Sequence, residues 1–257
     1  GIAASVLNEK YEVSIFEKGS FGNGMTNNET FGYHNFYDTY GIQQTRGYKV
    51  LLLAGMGIGG GTSVNWTTSL RTPNQILNEW DNLTEQDNYF NSHEFKNSMD
   101  YVCKELNVDI KNNRIPQKEE KLAEGLELNN LSYKIIPRNT SNDECTESGF
   151  STFGRYDESI NSTNKIWFSE ERFEPNNVFS DTNITSLDLS NGRATHINIE
   201  NNGTLHKVAV DKVVLAAGSL NTPKILLDSG YKNKHLGRNL KLHPVSGVAG
   251  KFSEEQK

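Results

Sequence analysis

The chain has 257 residues, of which 35% are hydrophobic, and a formal net charge of -6 at neutral pH, so its size indicates one large or two modest globular domains. This charge does not favour a nucleic-acid partner, which would call for clustered lysine and arginine. Two cysteines, Cys103 and Cys145, are too few for a disulfide framework or a metal site, and no apolar run approaches the ~18 residues of a membrane span.

The N-terminal residues predict a helix followed by a strand. Gly1 to Leu7 is typical of the first turns of a buried helix, and Glu12 to Glu17 predicts a short strand that ends in an acid. In a βαβ nucleotide unit, the acid that binds the ribose lies about 20 residues past the first glycine. Glu17 suits that role if Gly1 is the last glycine of the fingerprint, with the rest of the motif upstream of residue 1. The alternative is a surface acid after an ordinary strand.

Residues 19–47 form a long excursion without periodicity. The segment is rich in Gly, Asn, Thr and Tyr, and it exceeds the roughly 12–15 residues of an ordinary loop. Its aromatic content predicts packing against another part of the protein, whereas the alternative is a mobile surface insertion. The aromatic residues concerned are Phe21, Phe31, Tyr33, Phe36, Tyr37 and Tyr40.

A glycine loop follows. Val50 to Leu53 predicts a buried strand or tightly packed turn, and five glycines then occur between Gly55 and Gly61. Glycine permits positive φ angles and a close approach of backbone N–H groups to an anion or a flat ring. The spacing G-x-G-x-x-G is present, but the β-branched, hydroxyl-rich residues 63–69 do not predict the helix that a dinucleotide fingerprint requires. Taken alone, the loop also fits a structural turn cluster.

Helices and a polar loop are predicted after Pro73. One helix is indicated by apolar residues at helical spacing, namely Phe95, Met99, Val102, Cys103 and Leu106. A second is predicted to begin at Pro116 and to bury a stripe formed by Leu122, Ala123 and Leu126. Residues 140–163 are polar and predict a loop.

The period then changes to two. Residues 184–189, 194–200 and 205–210 alternate apolar with polar positions around Asn191-Gly192 and Asn202-Gly203, which predicts a three-stranded antiparallel meander. The apolar run from Lys212 to Ser219 predicts a buried parallel strand. Residues 221–227 predict a helix with Pro223 in its first turn.

Three motifs together carry a family resemblance. Residues 59–66 read Gly-Gly-Gly-Thr-Ser-Val-Asn-Trp, residues 216–223 read Ala-Ala-Gly-Ser-Leu-Asn-Thr-Pro, and residues 237–245 read Gly-Arg-Asn-Leu-Lys-Leu-His-Pro-Val. In this order they resemble the FAD-binding signatures of the glucose-methanol-choline (GMC) oxidoreductases, and most closely those of the long-chain fatty alcohol oxidases. The resemblance extends over nearly the whole chain.

The resemblance implies an α/β fold: an FAD-binding Rossmann-like parallel sheet with an inserted β-meander and helical excursions, incomplete at both ends. The expected division is 1–72 for the first part of the FAD-binding domain and 73–177 for a helical and loop excursion. Residues 178–236 would complete the FAD-binding domain with the meander, and 237–257 would begin a substrate-binding domain.

FAD is the cofactor that the resemblance implies. The residues implied to contact it are Gly1, Glu17, Gly57, Gly59, Gly60, Gly61, Thr62, Asn65, Ile184, Ala217, Gly218 and Ser219. Gly1 would lie near the pyrophosphate, Glu17 on the ribose, Asn65 near the isoalloxazine and the Ile184 backbone at the adenine. The glycine loop would contact phosphate and ring, and residues 217–219 would close the other side. His243 is expected to be a structural hydrogen-bonding residue near the flavin.

The implied activity is oxidation of a long-chain primary alcohol by dioxygen, which yields an aldehyde and peroxide. In the family the base is a histidine paired with a second histidine or an asparagine in a C-terminal signature, so no catalytic residue is predicted within this chain. An intracellular location with peripheral association at the peroxisomal or endoplasmic reticulum membrane is also implied. Three alternatives remain: a non-catalytic truncated or degenerate relative, another GMC alcohol dehydrogenase or oxidase, and a nicotinamide-binding Rossmann module with a catalytic partner subunit.

Overall fold

The computed structural model describes residues 1–21, 28–85, 87–111, 115, 117–141, 160–167, 177–242 and 250–251. Helices and short strands alternate in the first part of the chain, and an antiparallel meander dominates the last part. The helices are α1 (Ile2–Asn8), α2 (Glu29–Phe36), α3 (Asn74–Thr84), α4 (His93–Glu105), α5 (Gln117–Leu128), α6 (Thr163–Trp167) and α7 (Gly218–Asp228). The strands are β1 (Ile15–Phe16), β2 (Gln43–Gln44), β3 (Leu51–Leu52), β4 (Val178–Phe179), β5 (Thr182–Ser190), β6 (Arg193–Asn201) and β7 (Thr204–Ala209).

A parallel strand pair connects two segments that are far apart in the sequence. β1 pairs with β4 in parallel, and the Phe16 and Phe179 rings stack with centroids 5.0 Å apart. The backbone continues the connection, since Glu17 N–H donates to the Phe179 carbonyl at 2.8 Å and Thr182 N–H donates to the Glu17 carbonyl at 2.9 Å. A helix and a strand are present at the N-terminus as predicted, although the ladder of β1 is only two residues long. The expected burial of the helix is wrong, since no residue of α1 is buried and Val6 is 49% exposed. With α1 before it, this pair is the parallel part of an α/β Rossmann-like fold.

The meander has the predicted form. β5, β6 and β7 are antiparallel neighbours in that order. At both turns the Asn and the Gly have positive φ, with values of 50° and 75° at residues 191–192 and 49° and 76° at residues 202–203. Such angles match the right-handed twist of the strands that the turns connect.

The main hydrophobic core lies between the meander and α7. Leu187, Ile197 and Ile199 are buried against Ile225 of α7. The Ser229 hydroxyl fixes the end of this helix, because it accepts from Leu187 N–H at 2.7 Å and donates to the Ile225 carbonyl at 2.6 Å. Docking of α7 on the meander thus combines apolar burial with a direct tether to β5.

The prediction of a buried strand from Lys212 to Ser219 is wrong. Val213 and Leu215 pack on the meander core, but Val214 between them is 61% exposed, and residues 212–216 join no described strand ladder. An extended segment becomes a strand only where a neighbouring backbone accepts its hydrogen bonds. α7 also begins earlier than predicted, at Gly218, so that Pro223 lies inside the helix instead of in its first turn.

The excursion contains more structure than its composition indicates. Asn28 caps α2 by accepting from Phe31 N–H at 3.1 Å, and Phe36 and Tyr37 at the end of the helix are buried with Val64. Burial raises the pKa of Tyr37 to about 12, with a further contribution from Tyr33. Burial is confirmed for these two positions only, although Phe31 and Tyr33 make ring contacts with Phe36 and Tyr37. The other four are exposed: Phe21, Phe31, Tyr33 and Tyr40.

The segment before the glycine loop is exposed, contrary to prediction. β3 pairs with β2 in an antiparallel hairpin, yet Leu51 is 60% exposed and Leu53 is 53% exposed. No described element covers this hairpin deeply enough to bury them.

Helices α4 and α5 occur where periodicity predicts them. The five apolar residues of the α4 stripe are all half-buried, whereas most of the remaining positions of this helix are exposed. In α5, Ala123 and Leu126 are half-buried, but Leu122 is 57% exposed and does not join the stripe. Pro116 and most of the predicted 140–163 loop lie outside the described residues.

Candidate functional site

Glu17 connects the end of β1 to the glycine loop. Its Oε1 atom accepts from the backbone N–H of Gly19 at 2.8 Å and from that of Gly57 at 3.1 Å. Burial raises the pKa of the Glu17 carboxyl, and the two backbone hydrogen bonds only partly offset this effect. The structure thus places Glu17 beside Gly57, two of the residues predicted to contact the cofactor, and the Oε1 atom of Glu17 is already bound to the loop. Contact between Glu17 and a ribose stays a prediction.

Gly1 lies near Glu17. The start of α1 therefore lies beside the end of β1, which is the arrangement expected if both residues belong to one nucleotide site.

The glycines of the loop fall into two classes according to the space around them. A Cβ on Gly55 would lie 2.7 Å from the Gly61 nitrogen, and one on Gly19 would lie 2.4 Å from the Gly57 nitrogen. These two glycines allow backbone segments to touch. In contrast, a Cβ on Gly60 or Gly61 would meet no heavy atom within 4 Å. The second class therefore has a side that no described residue covers.

The backbone of the open part is shaped for a ligand. Gly57, Gly59 and Gly60 have φ values of 99°, 98° and 51°, which side chains disfavour, and a 3₁₀ turn then runs from Gly60 to Ser63. No described residue accepts a hydrogen bond from the N–H groups of Gly59 and Gly61. Successive N–H groups in such a turn form a concavity that binds anions. This part of the loop fits a phosphate group.

Gly218 has the same character at the start of α7. Its φ is 77°, and a Cβ there would also meet nothing within 4 Å. Ala217 before it provides no side-chain cap for the helix. Residues 217–219 therefore present a second open stretch of backbone, as the predicted role of Ala217, Gly218 and Ser219 requires.

Thr62 and Asn65 use their side chains to hold the loop. The Thr62 hydroxyl donates to the Gly59 carbonyl at 2.6 Å and lies 2.9 Å from the Thr163 hydroxyl. The Asn65 Oδ1 atom accepts from Thr67 N–H at 2.7 Å, which closes a local turn. Direct contact of either side chain with a cofactor stays a prediction. Thr163 had no signal in the sequence, because it lies about a hundred residues from the loop that it supports.

Asp38 is a second residue that the sequence did not reveal. It is buried between Lys18, which follows Glu17, and Asn221 in α7, and its carboxylate binds both side chains. Its position within an irregular aromatic segment gave no pattern that distinguishes it from a surface acid.

Ile184 lies in β5, where it pairs with Ile199. Because Thr182 N–H, at the start of this strand, binds the Glu17 carbonyl, β5 begins beside the candidate site. The predicted contact of the Ile184 backbone with adenine stays a prediction. His243 and Cys145 lie outside the described residues.

The structure also limits other kinds of site. Among the described residues, no three or more His, Cys, Asp or Glu side chains are grouped closely enough to hold a metal ion. Within the same ranges, no helix has both the length and the apolar character required to cross a bilayer.

Known proteins resemble this chain in sequence. The family model described as GMC oxidoreductase matches residues 19–245. The chain is 30% identical to the Arabidopsis thaliana long-chain-alcohol oxidase FAO4A, over 100% of this chain and 36% of that protein. It is 28% identical to FAO3 of the same plant, again over 100% of this chain and 36% of the relative. The chain thus spans about 36% of the length of the curated relatives it matches.

Two solved structures share the fold. An FAD-dependent oxidoreductase from Chaetomium thermophilum superimposes with a TM-score of 0.56 at 18% sequence identity, and the match covers 87% of this chain and 44% of the oxidoreductase chain. Pyridoxine 4-oxidase from Mesorbium loti superimposes with a TM-score of 0.50 at 13% identity, and the match covers 88% of this chain and 49% of the oxidase chain. At these identities the likeness establishes the fold alone.

Proposed function

Because this chain belongs to the GMC oxidoreductase family, we propose that its glycine loop and the start of α7 bind FAD. The observation that carries the proposal is the run of positive φ angles at Gly57, Gly59 and Gly60, next to backbone where a Cβ on Gly60 or Gly61 would meet no heavy atom of the described residues within 4 Å. Gly55 and Gly19 face other backbone instead. Hairpin-turn glycines such as Gly192 and Gly203 are equally open, so the open space permits a ligand and the family relationship supplies its identity.

The proposed roles follow from chemistry and position. The N–H groups of Gly59 and Gly61 would donate to pyrophosphate oxygens, as oriented backbone amides do in other anion sites. Glu17, with one carboxylate oxygen already bound to Gly57 N–H, would use the other on the ribose hydroxyls. Burial raises the pKa of this carboxyl, and a ribose hydroxyl that donates to the carboxylate would stabilise its charged form and lower that pKa.

We propose a long-chain primary alcohol as the substrate class and dioxygen as the electron acceptor, in agreement with the names of the curated relatives. When bound, FAD would supply the hydride acceptor for oxidation of the alcohol to its aldehyde. The alcohol hydroxyl also needs a base. We assign that role to no described residue, so the residues of the candidate site bind and orient the cofactor. Peripheral association with a membrane is a further proposal, testable by sedimentation with lipid vesicles.

The test combines cofactor content with substrate choice. The natural full-length protein, purified without added flavin, should release FAD on denaturation. It should also form peroxide from cetyl alcohol more readily than from ethanol. Bound FAD without any alcohol oxidation would favour the non-catalytic relative. Oxidation of ethanol in preference would favour another alcohol oxidase of the family. Bound nicotinamide cofactor, or no cofactor, would contradict the proposal.

A further inference from the structure

Asp38 is a buried carboxylate with both oxygens engaged. The residue is 4% exposed. Lys18 Nζ donates to Oδ1, Asn221 Nδ2 donates to Oδ2 at 3.1 Å, and the Thr39 hydroxyl donates to Oδ1 at 3.4 Å. Burial opposes ionisation, but the hydrogen bonds from Lys18 and Asn221 outweigh it and hold the pKa of Asp38 below its ordinary value. The group is therefore a charged junction inside the protein.

The contacts of Asp38 reach three of the segments that carry candidate FAD residues. Lys18 directly follows Glu17, and Asn221 lies two residues after Ser219 in α7. The backbone N–H of Asp38 donates to the Ala54 carbonyl at 2.9 Å, immediately before Gly55. Asp38 is thus connected to the end of β1, to the glycine loop and to the start of α7.

We propose that Asp38 is a positioning residue that fixes the distance between the glycine loop and the open backbone at residues 217–219. The carboxylate of Asp38 binds Asn221 near the start of α7, and the backbone N–H of Asp38 binds the residue before the glycine loop. Asp38 thereby holds the two segments next to each other. This inference rests on the proposed FAD binding, and Asp38 itself does not touch the cofactor. Thr39 and Tyr40, which follow, have φ values of 54° and 57°. Non-glycine residues retain such angles where the surrounding contacts over-determine the backbone.

The test compares Asp38→Asn with Asp81→Asn in the full polypeptide. In Asp38→Asn only one side-chain oxygen remains to accept from both Lys18 and Asn221. The new NH₂ group is a donor, so it would point at one of these two donors without forming a hydrogen bond. Asp81 is the matched control. It is 9% exposed and accepts from Phe90 N–H and Asn91 Nδ2, both at 2.8 Å, between α3 and α4. Both substitutions replace a buried carboxylate by an amide and should lower the melting temperature.

The two variants should differ in cofactor binding. Asp38→Asn should raise the FAD dissociation constant about 10–100-fold, the range that follows from loss of a charge-assisted hydrogen bond. At saturating FAD, it should also change the visible circular dichroism of the bound flavin. Asp81→Asn should leave the dissociation constant within about twofold, since the hydrogen-bond partners of Asp81, Phe90 and Asn91, are not candidate FAD residues and share no described contact with them. In the Asp38→Asn background, Asn221→Asp restores a carboxylate–amide pair and should recover part of the affinity.

Each outcome has a distinct meaning. If the unsubstituted polypeptide binds FAD and Asp38→Asn binds it equally with an unchanged spectrum, the positioning role is overturned and the proposed function stands. If Asp81→Asn weakens binding as much as Asp38→Asn, the effect is general destabilisation and the inference also fails. If the unsubstituted polypeptide binds no FAD, the proposed function fails and the inference fails with it.

Discussion

Alanine substitutions at Gly61 and Gly55 would separate cofactor contact from chain packing. A Cβ on Gly61 meets nothing within 4 Å, and Gly61 lies in a 3₁₀ turn outside the left-handed region. Gly61→Ala should therefore leave the free energy of unfolding unchanged or raise it by up to about 1 kcal/mol, because alanine restricts the unfolded chain. The structure of the cofactor-free protein gives no reason for this substitution to cause damage.

Gly55→Ala has the opposite expectation. Its Cβ would lie 2.7 Å from the Gly61 nitrogen and 2.8 Å from the Gly60 carbonyl carbon, whereas unstrained contacts between non-bonded heavy atoms lie near 3.5–4.0 Å. Backbone must shift by most of an ångström, and overpacking of this kind costs about 1–3 kcal/mol. Each kcal/mol corresponds to a loss of about 2–4 °C in melting temperature for a domain of this size.

The assay is an FAD titration of both variants beside thermal unfolding of their cofactor-free forms. Gly61→Ala should weaken FAD binding by at least about tenfold, equal to about 1.4 kcal/mol, because the new methyl group displaces the phosphate from the loop. Wild-type affinity in Gly61→Ala, together with wild-type stability, would show that the open side of the loop does not face the cofactor. That result would refute the reasoning.

Three further predictions concern single side chains. Glu17→Gln keeps an acceptor for both backbone donors and should be at least as stable as wild type in urea at neutral pH, whereas Glu17→Ala should lose about 1–3 kcal/mol and retain less FAD. Because burial raises the pKa of Glu17, ionisation of its carboxyl opposes folding. The stability of the protein should therefore fall as the pH rises from the pKa of Glu17 in the unfolded chain to its pKa in the folded protein. Glu17→Gln should remove this fall from a plot of melting temperature against pH. Asp38 has a lowered pKa, so its stabilisation is present above its ordinary pKa and is lost as pH falls through the folded value; Asp38→Asn should flatten the acid side of the same plot. Ser229→Ala leaves the Leu187 N–H without its acceptor and should cost about 1–3 kcal/mol in urea unfolding; a change below the experimental error would show that the contact contributes nothing.

Local patterns predicted the parts of the fold that local chemistry determines. The meander follows from two Asn-Gly pairs, since both residues of each turn have positive φ and both tolerate it. The α4 stripe follows from its spacing. The failed prediction at residues 212–216 has the opposite cause: the apolar run is real, but pairing depends on a neighbouring strand that the run itself does not specify.

The candidate site was only partly predictable for a similar reason. Motif spacing identified the glycine loop and residues 217–219, but it could not distinguish Gly55, which packs on Gly61, from glycines that face open space. Asp38 and Asn221 are 183 positions apart, so no window of sequence contains their contact. A capping Asn28 followed by an acid would have revealed α2, a signal that the aromatic content of the excursion obscured.

FAD binding is the central claim, and the flavin content of the purified full polypeptide tests it most directly. The protein should show flavin absorption in the visible range and, after denaturation, should release close to one equivalent of FAD, identified by chromatography and mass. A colourless protein that acquires no flavin spectrum when incubated with excess FAD would contradict the account.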